Sequence, residues 1–277
     1  MTELLFRPFV DAALREDLRS GDITTDALIP ADLRGVAAMN FRADGIVCGL
    51  QLAISAFQIL DPGAEIEVLA LDSQKMKAGE TVLRVRASGR ALLSAERVAL
   101  NFVQRLSGIA TLTAQFVAAT QGTQARIADT RKTTPNLRLL EKYAVKCGGA
   151  SNHRFALDDL VLIKDNHIAL CGGISAAVER ARHFIGHAVK IEVECDTLAQ
   201  VEEAVEARAD ILLLDNMNSE MLKQAVAIIG GRALAEASGG VNLDTVRAIA
   251  QSGVDIISVG ALTHGAKSLD IGLDVEI

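Results

Sequence analysis

The chain has 277 residues and a formal net charge of −7; 50% of its residues are hydrophobic and only 3% are aromatic. Its length allows one large domain or a large and a small one. The acidic balance and the scarcity of aromatic rings argue against a nucleic-acid binder, and no apolar run reaches the roughly 18 residues that cross a bilayer. Four cysteines without metal-binding spacing, and no signal peptide, predict reduced thiols in a cytoplasmic protein.

The chain up to about residue 110 mixes strands and helices without regular alternation. Apolar spacing predicts helices and strands at residues 6–18, 35–41, 45–48, 50–60, 64–70 and 81–85. The first and fourth of these segments have helical spacing, and the others have the pattern of strands. Segregated strands and helices of this kind are typical of an α+β sandwich.

A longer helix is predicted over residues 91–106, where apolar residues at 3–4 spacing form one stripe. Arg105 lies off this stripe. Ser107-Gly108 is expected to interrupt the helix soon after Arg105. Because an arginine near a helix C-terminus is usually a partner of the helix dipole, the pattern by itself assigns Arg105 no function.

The segment from Ile127 to His167 is basic although the protein is acidic. It contains seven Lys or Arg and two His against five carboxylates, which indicates a site for a small, highly anionic ligand. Residues 129–134 fall between a short apolar strand and a predicted helix over 137–147, with Asn136 as its candidate N-cap. Free N–H groups at such a helix start favour phosphate or carboxylate, and Arg131 and Lys132 add a planar fork and a mobile charge.

After Gly122 the pattern becomes a regular alternation of strands and helices. Apolar runs are at residues 125–128, 160–163, 189–193, 211–214, 234–237 and 256–259, separated by helical patterns. Six successive βα units predict a parallel sheet that forms a closed or nearly closed barrel. In such a barrel the chemistry gathers at the C-terminal ends of the strands.

These strand ends offer three kinds of chemistry. Positive charge for carboxylates and phosphates comes from Arg131, Lys132, His153, Arg154 and Lys164. Hard oxygen ligands for Mg²⁺, or acceptors for ribose hydroxyls, come from Glu194 and Asp215. Backbone N–H groups that suit a phosphate come from the glycine-containing stretches Ser238-Gly239-Gly240 and Val259-Gly260-Ala261.

Two of these assignments leave alternatives open. Glu192 and Glu194 are two apart on a strand and so share one face. Both could point inward or form an exposed acidic ladder, and we favour Glu194 because it is nearer the strand end. Lys164 also fits a Schiff-base lysine, as in barrel aldolases.

Six motifs resemble the quinolinate phosphoribosyltransferase family, in the same order along the chain. They are Asp129-Thr-Arg-Lys-Thr-Thr-Pro135, Gly148-Gly-Ala-Ser-Asn-His-Arg154, Leu162-Ile-Lys-Asp-Asn-His167, Glu192-Val-Glu194, Leu214-Asp-Asn-Met217 and Ala237-Ser-Gly-Gly240. The resemblance runs nearly end to end, since Gly21-Asp-Ile-Thr-Thr25 and Gln104-Arg-Leu-Ser-Gly-Ile-Ala-Thr111 also match. Asn136 and Ala150 replace residues that are usually Gly in the family, and both substitutes are small or tolerate a left-handed backbone.

The resemblance implies an N-terminal α/β sandwich, residues 1–110, and a C-terminal incomplete (β/α) barrel, residues 111–267, that carries the active site. Residues 268–277 are expected to return to the sandwich. The implied reaction joins quinolinate and 5-phosphoribosyl 1-pyrophosphate (PRPP), with Mg²⁺, to give nicotinate mononucleotide, pyrophosphate and CO₂ in NAD biosynthesis. The family works as a homodimer, in which Arg105 is expected to reach the partner's site.

The same resemblance distributes the substrate contacts. Arg131, Arg154, Lys164 and the Thr130–Lys132 turn are expected to bind the dicarboxylate, and Glu194 and Asp215 to face the ribose and its metal. Ser238–Gly240 and the stretch Ser258, Val259, Gly260 and Ala261 are expected to hold the 5-phosphate. For the proton that replaces CO₂, Lys132 is the first candidate donor and His153 the second.

Two other classes of protein share parts of this pattern. One is a related phosphoribosyltransferase-like protein of the kind found with molybdate transport, which has the same architecture and another substrate. The other is a non-catalytic binding protein on a degenerate barrel. The full set of cationic residues argues against the first class, and the Glu194/Asp215 pair argues against the second because unpaired inward carboxylates are costly without a ligand.

Overall fold

The structure is a computed structural model, and it describes residues 2–276. Within this range the helices are α1 Glu3–Leu18, α2 Ile23–Leu28, α3 Leu50–Leu60, α4 Gly89–Ala119, α5 Arg138–Cys147, α6 Asp165–Cys171, α7 Ile174–Phe184, α8 Leu198–Glu206, α9 Ser219–Ile229, α10 Val246–Ala250 and α11 Ala261–His264. The strands are β1 Arg34–Phe41, β2 Gly45–Ile46, β3 Glu65–Val68, β4 Lys75–Met76, β5 Thr81–Ser88, β6 Arg126–Ala128, β7 Val161–Ile163, β8 Ile191–Cys195, β9 Ile211–Asp215, β10 Leu234–Ser238, β11 Ile256–Ser258 and β12 Ile271–Glu276.

These elements belong to two compact units. The first unit runs up to Ala114 and also contains Leu140–Gly149 and a C-terminal segment from Ala266. The second consists of Gln115–Leu139 and Ala150–Gly265.

The first unit contains a four-stranded antiparallel sheet in the order β12-β1-β5-β3. Helix α3, which matches the predicted segment 50–60, packs against β5, and α1 packs against α3. Its core includes the fully buried side chains of Met39, Phe41, Phe57 and Leu83. This layer of helices on an antiparallel sheet confirms the predicted N-terminal sandwich.

Helix α2 was not predicted, because the sequence around it has the composition of a turn. Its start is stabilised by Asp22, whose side chain accepts a hydrogen bond from the Thr25 N–H at 3.0 Å. A second bond, from the Ser94 hydroxyl at 2.9 Å, holds the same carboxylate. A good N-cap is enough to begin a six-residue helix in a segment of weak propensity.

The prediction that Ser107-Gly108 interrupts the long helix is wrong, because α4 continues through both residues to Ala119. The Ser107 hydroxyl accepts a hydrogen bond from the Cys48 N–H at 3.0 Å. A Cβ atom at Gly108 would lie 2.0 Å from the carbonyl oxygen of Lys267, so only glycine allows this approach. Ser107 and Gly108 therefore pack against neighbouring segments of the chain and do not end the helix. Arg105 accordingly lies inside α4 rather than at its C-terminus.

The second unit contains a six-stranded parallel sheet in the order β6-β11-β10-β9-β8-β7. All six predicted βα strands are confirmed. In β9 the residues from Ile211 to Leu214 are buried in succession, as expected for a parallel strand covered on both faces. Strands β6 and β7 form the two edges of the sheet, so the barrel is incomplete, as the resemblance implied.

Over residues 2–276, no helix combines the length and the apolar character that a membrane span requires.

Candidate active site

The C-terminal ends of the parallel strands open into one cavity of ≈390 Å³. Its lining residues are Thr130, Arg131, Lys132, His153, Arg154, Leu162, Lys164, Glu194, Leu213, Asp215, Glu236, Ser238 and Ser258. Ten of these thirteen residues were named from the sequence as site candidates. The structure brings them together because parallel strands end at the same edge of a sheet.

Four cations, Arg131, Lys132, Arg154 and Lys164, form what we call the cationic wall of the cavity. Arg131 and Lys132 lie in the turn after β6, where the Lys132 N–H donates to the Thr130 hydroxyl at 3.0 Å and the Lys132 carbonyl accepts from the Thr263 hydroxyl at 2.7 Å. Arg154 is held by a hydrogen bond from its guanidinium to the Leu160 carbonyl at 3.1 Å. The wall is therefore fixed by main-chain contacts rather than by carboxylates, apart from Lys164.

The two arginines of the wall repel each other. Burial lowers the pKa of Arg154, and the positive charge of Arg131 lowers it further. The Nε atom of Arg131 is buried and has no hydrogen-bond partner among the described residues. A buried donor without an acceptor is costly, and two adjacent cations add to that cost. A carboxylate or phosphate bound between the two guanidinium groups would offset their repulsion, so the wall suits an anion.

The acidic side of the cavity is made by Glu194 at the end of β8 and Asp215 at the end of β9. Glu194 forms an ion pair with Lys164. Asp215 accepts a hydrogen bond from the Asn216 amide at 2.6 Å. Glu194, the residue favoured from the sequence, lines the cavity, whereas Glu192 is fully buried and is not among the lining residues.

His153 and Glu236, which also line the cavity, form with Glu192 a group that we call the buried triad. The Nε2 atom of His153 is 3.2 Å from Glu192 Oε2 and 3.4 Å from Glu236 Oε1. The two glutamates are 0% and 1% exposed. Burial lowers the pKa of His153, but its contacts with Glu192 and Glu236 outweigh burial and raise it. Burial also raises the pKa of Glu192.

The glycine-containing loops contribute less of the lining than the sequence suggested. Ser238 and Ser258 line the cavity, whereas Gly239, Gly240, Val259, Gly260 and Ala261 are not among the lining residues. Gly239 is nevertheless irreplaceable by geometry, since its φ is +91° and a Cβ atom there would lie 2.1 Å from Asn216 Oδ1. The loop after β10 thus packs directly on the loop after β9.

Arg105 belongs to the first unit, whereas the residues that line this cavity belong to the second. Its Nη2 and Nε atoms donate to Glu141 Oε1 at 2.8 and 3.2 Å, and Nη1 donates to the Ala266 carbonyl at 2.6 Å. Glu141 is fully buried, and the side chain of Arg105 is 26% exposed.

Three lining residues were missed from the sequence: Leu162, Leu213 and Glu236. Each lies two residues before a polar strand-end residue that was named, namely Lys164, Asp215 and Ser238. Because side chains two apart on a strand share a face, the period-two rule applied at every strand end would have found all three.

Comparison with known proteins gives the same picture over the whole chain. Family models describe residues 22–107 as the N-terminal and residues 109–274 as the C-terminal domain of quinolinate phosphoribosyl transferase. A probable nicotinate-nucleotide pyrophosphorylase (carboxylating) of Bacillus subtilis is 40% identical over 100% of this chain and 96% of its own length. The chloroplastic nicotinate-nucleotide pyrophosphorylase (carboxylating) of Arabidopsis thaliana is 42% identical over 96% of this chain and 82% of its own.

The similarity extends to solved structures. The crystal structure of NadC from Streptococcus pyogenes superposes with a TM-score of 0.96 at 40% identity, covering 100% of this chain and 99% of the other. The nicotinate-nucleotide pyrophosphorylase of Ehrlichia chaffeensis gives 0.94 at 42% identity, with 98% of each chain covered. The motifs, the fold, the cavity and the relatives agree, and the chain belongs to the quinolinate phosphoribosyltransferase family.

Proposed function

We propose that this protein transfers the phosphoribosyl group of PRPP to quinolinate and releases CO₂, giving nicotinate mononucleotide and pyrophosphate in the biosynthesis of NAD. The observation that carries this proposal is the preformed cationic wall. Arg131, Arg154, Lys132 and Lys164 line one cavity, and the buried Arg131 Nε has no acceptor within residues 2–276. Quinolinate is a planar dicarboxylate, which can accept bidentate hydrogen bonds from guanidinium forks.

The two substrates are proposed to bind at different parts of the cavity. The carboxylates of quinolinate bind at Arg131, Arg154, Lys164 and the Thr130–Lys132 turn. The ribose of PRPP faces Glu194 and Asp215, which can accept hydrogen bonds from its hydroxyls. The 5-phosphate lies at Ser238–Gly240 and at Ser258–Ala261, where main-chain N–H groups of glycine loops suit an anion.

The residues then act by orientation and charge. The ring nitrogen of quinolinate attacks the anomeric carbon of the ribose as the bond to pyrophosphate breaks, through an oxocarbenium-like state. Glu194 and Asp215 stabilise the positive charge that develops on the ribose, and the lysines stabilise the leaving pyrophosphate. Holding both substrates in register removes much of the entropic barrier.

Decarboxylation follows without an additional catalyst for the bond cleavage. Once the ring nitrogen carries the ribose it is cationic, so loss of CO₂ from position 2 leaves a carbanion beside a positive charge. One proton must then reach that carbon. Lys132 is the proposed donor. His153 is less suited, because its Nδ1 accepts the Arg154 N–H at 2.8 Å and its Nε2 faces Glu192 and Glu236.

Mg²⁺ is a proposed cofactor, with Glu194 and Asp215 as ligands either directly or through water. The two carboxylates are hard oxygen donors at the ends of adjacent strands and line the same cavity, so the donor set suits this ion. When bound, the ion supplies positive charge to the pyrophosphate. We expect chelation with EDTA to reduce turnover below one tenth, and excess Mg²⁺ to restore it; unchanged turnover in EDTA would remove the metal from the proposal.

The working form is proposed to be a homodimer in which Arg105 reaches the partner's site. Arg105 supports this role because Glu141 and the Ala266 carbonyl hold its guanidinium while a quarter of the side chain stays exposed. Sedimentation of the purified protein tests the dimer. Mixing Arg105→Ala chains with Lys132→Ala chains tests the shared site, since mixed dimers would regain one intact site.

The direct test of the function is one assay. Purified protein is incubated with Mg²⁺, quinolinate and PRPP, and nicotinate mononucleotide and CO₂ are measured together, with nicotinate as the control substrate. Product and CO₂ in equal amounts from quinolinate alone are expected. Absence of both, with PRPP still bound in calorimetry, would mean that the protein acts on another base.

A further inference from the structure

The buried triad contains an unexplained cost. Both carboxylate oxygens of Glu192 and one of Glu236 are buried, and among residues 2–276 none of the three has a partner that meets hydrogen-bond geometry, although Glu192 Oε2 and Glu236 Oε1 lie within ion-pair distance of His153 Nε2. Apolar side chains at the two positions would pack in the same sheet without that cost, and replacing buried charges in this way is often stabilising. A purely structural role in the core therefore does not account for these two glutamates.

The two glutamates converge on one ring across the sheet. Strands β8 and β10 lie on either side of β9, where Glu192 pairs with Ile211 and Glu236 with Leu213. Both side chains reach the same Nε2 atom of His153, at 3.2 and 3.4 Å. The other ring nitrogen, Nδ1, accepts the main-chain N–H of Arg154 at 2.8 Å.

These contacts fix the tautomer of the ring. In the neutral ring, Nδ1 keeps the lone pair that accepts the Arg154 N–H, so the hydrogen is on Nε2, on the side of the two carboxylates. The same carboxylates raise the pKa of His153, and a second proton on Nδ1 would have to displace the Arg154 N–H. The three side chains lie within 4.8 Å of one another, as metal ligands would. Because Nε2 carries a hydrogen, it offers no lone pair to a metal ion, and the geometry favours an orienting role instead.

The residue that is oriented is Arg154. It lies in the stretch between the end of α5 at Cys147 and the start of β7 at Val161, which has no helix or strand and contains only the isolated bridge of Ala128 to Ser151. The start of this segment is anchored by Asp129, which accepts from the His153 N–H at 2.8 Å and from the Asn152 amide at 2.7 Å. Beyond His153, the imidazole is the group that holds the Arg154 N–H.

We propose that Glu192 and Glu236 are positioning residues for substrate binding. They hold the His153 ring at its Nε2 atom, and the ring in turn fixes Arg154 in the cavity, where Arg154 binds a carboxylate of quinolinate. This inference rests on the proposed function for the identity of the ligand. Glu192 also opposes the lowering of the Arg154 pKa that burial and the charge of Arg131 cause. The cationic wall can thus exist before its ligand arrives.

The test measures ligand affinity directly, by isothermal titration calorimetry of the full-length protein with quinolinate and, separately, with PRPP. For Glu192→Gln and Glu236→Gln we expect the quinolinate Kd to rise about tenfold, since loss of a supporting partner commonly costs 10- to 100-fold. The PRPP Kd should stay within twofold. KM values of the two substrates, measured in the turnover assay, should separate in the same way.

A double-variant series distinguishes positioning from a general effect on the site. If the glutamates act through Arg154, then Glu236→Gln in an Arg154→Lys background should raise the quinolinate Kd by less than about twofold further, because interacting residues are not additive. Glu192→Leu and Glu236→Leu add a second readout. They should match or exceed the wild-type unfolding temperature while still losing quinolinate affinity.

Matched controls lie at the opposite ends of the same strands. Asp210 accepts the Ile191 N–H at the start of β8 and Asp255 accepts the Ala235 N–H at the start of β10, both at 2.9 Å. Asp210→Asn and Asp255→Asn should lower the unfolding temperature and leave the ratio of the two Kd values unchanged.

Three results would overturn the proposal: a quinolinate Kd within twofold of wild type in both Gln variants, equal shifts for quinolinate and PRPP, or a full effect in the Arg154→Lys background. Wild-type turnover is measured first. Its absence counts against the proposed function, and the Kd series then decides the positioning role alone; a wild-type protein that does not bind quinolinate overturns both.

Discussion

The two sheets of this molecule each carry a cluster of arginines and glutamates, with opposite consequences. On the antiparallel sheet, Arg84 lies 3.2 Å from Glu276 and 3.6 Å from Glu67, and Arg86 lies 3.8 Å from Glu65. These side chains are 43% to 76% exposed. They border a concavity of ≈480 Å³, larger than the cavity of the parallel sheet. Every arginine there has a carboxylate beside it, so the surface is a solvated ladder that needs no ligand.

At the end of the parallel sheet the charges are arranged differently. Burial and the charge of Arg131 lower the pKa of Arg154 although Glu192 and Asp159 oppose this shift, and the carboxylates of Glu192 and Glu236 are buried and incompletely hydrogen-bonded among the described residues. The comparison teaches that the size of a cavity and its residue types do not identify a site. A site is indicated instead by charged side chains that are partly buried and lack a partner of opposite charge, because the free-energy cost of such charges is offset only when a ligand binds.

Lys132→Ala gives the largest expected effect on the cavity side of this comparison. If Lys132 donates the proton after decarboxylation, kcat should fall about 1,000-fold, in the middle of the range for general acids. The fold should survive, since the main-chain hydrogen bonds of this residue remain. Lys77→Ala is the matched control, because Lys77 is an exposed lysine paired with Asp44 at 2.7 Å. Turnover of Lys132→Ala close to wild type would remove this residue from the mechanism.

Arg131→Ala should have the next largest effect, confined to quinolinate. Removing the guanidinium fork that we propose binds a carboxylate should lower kcat/KM for quinolinate about 100-fold, equivalent to about 2.7 kcal/mol. The KM for PRPP should change little. Steady-state kinetics with each substrate varied in turn measures both values. An equal rise in the two KM values would mean that Arg131 does not distinguish the substrates.

Arg84→Ala should have the smallest effect and tests the other half of the comparison. Arg84 lies on the exposed ladder with two carboxylate neighbours, and exposed ion pairs contribute little. We expect kcat/KM within about twofold of wild type, and an unfolding temperature that changes only slightly in calorimetry. A tenfold loss of activity would show that the ladder is functional, and the conclusion that the antiparallel sheet carries no site would be wrong.

Most of the fold followed from periodicity, because a buried parallel strand and an amphipathic helix each impose a distinct spacing. The site followed wherever a polar residue ended an apolar run, as at Lys164, Asp215 and Ser238. Glu236 was missed because it lies inside a run that otherwise consists of apolar residues, where a charge is not expected. Asn136 stands where the family usually has Gly, and its φ of +64° is the left-handed backbone that such a position predicts.

What spacing could not predict depends on distant contacts. Ser107-Gly108 has the composition of a helix end, and only the approach of Lys267 explains why glycine occurs inside α4. The partners of Arg105 are equally remote in sequence, since Glu141 and Ala266 are brought to it by the tertiary fold. The orientation of His153 likewise requires the strand order β8-β9-β10, which no local pattern encodes.

The pairing of β12 with β1 also has a consequence for the order in which the two sheets can form during translation. Asn40 and Asp274 are joined by a hydrogen bond at 2.9 Å although 234 residues separate them. Strand β1 is translated early, but its neighbour β12 is translated only after the second unit. The edge of β1 that pairs with β12 is therefore unpaired during most of synthesis. The parallel sheet, whose strands all lie between residues 126 and 258, has its full sequence available sooner. The nascent chain therefore completes the catalytic half of the molecule before the sheet that begins first.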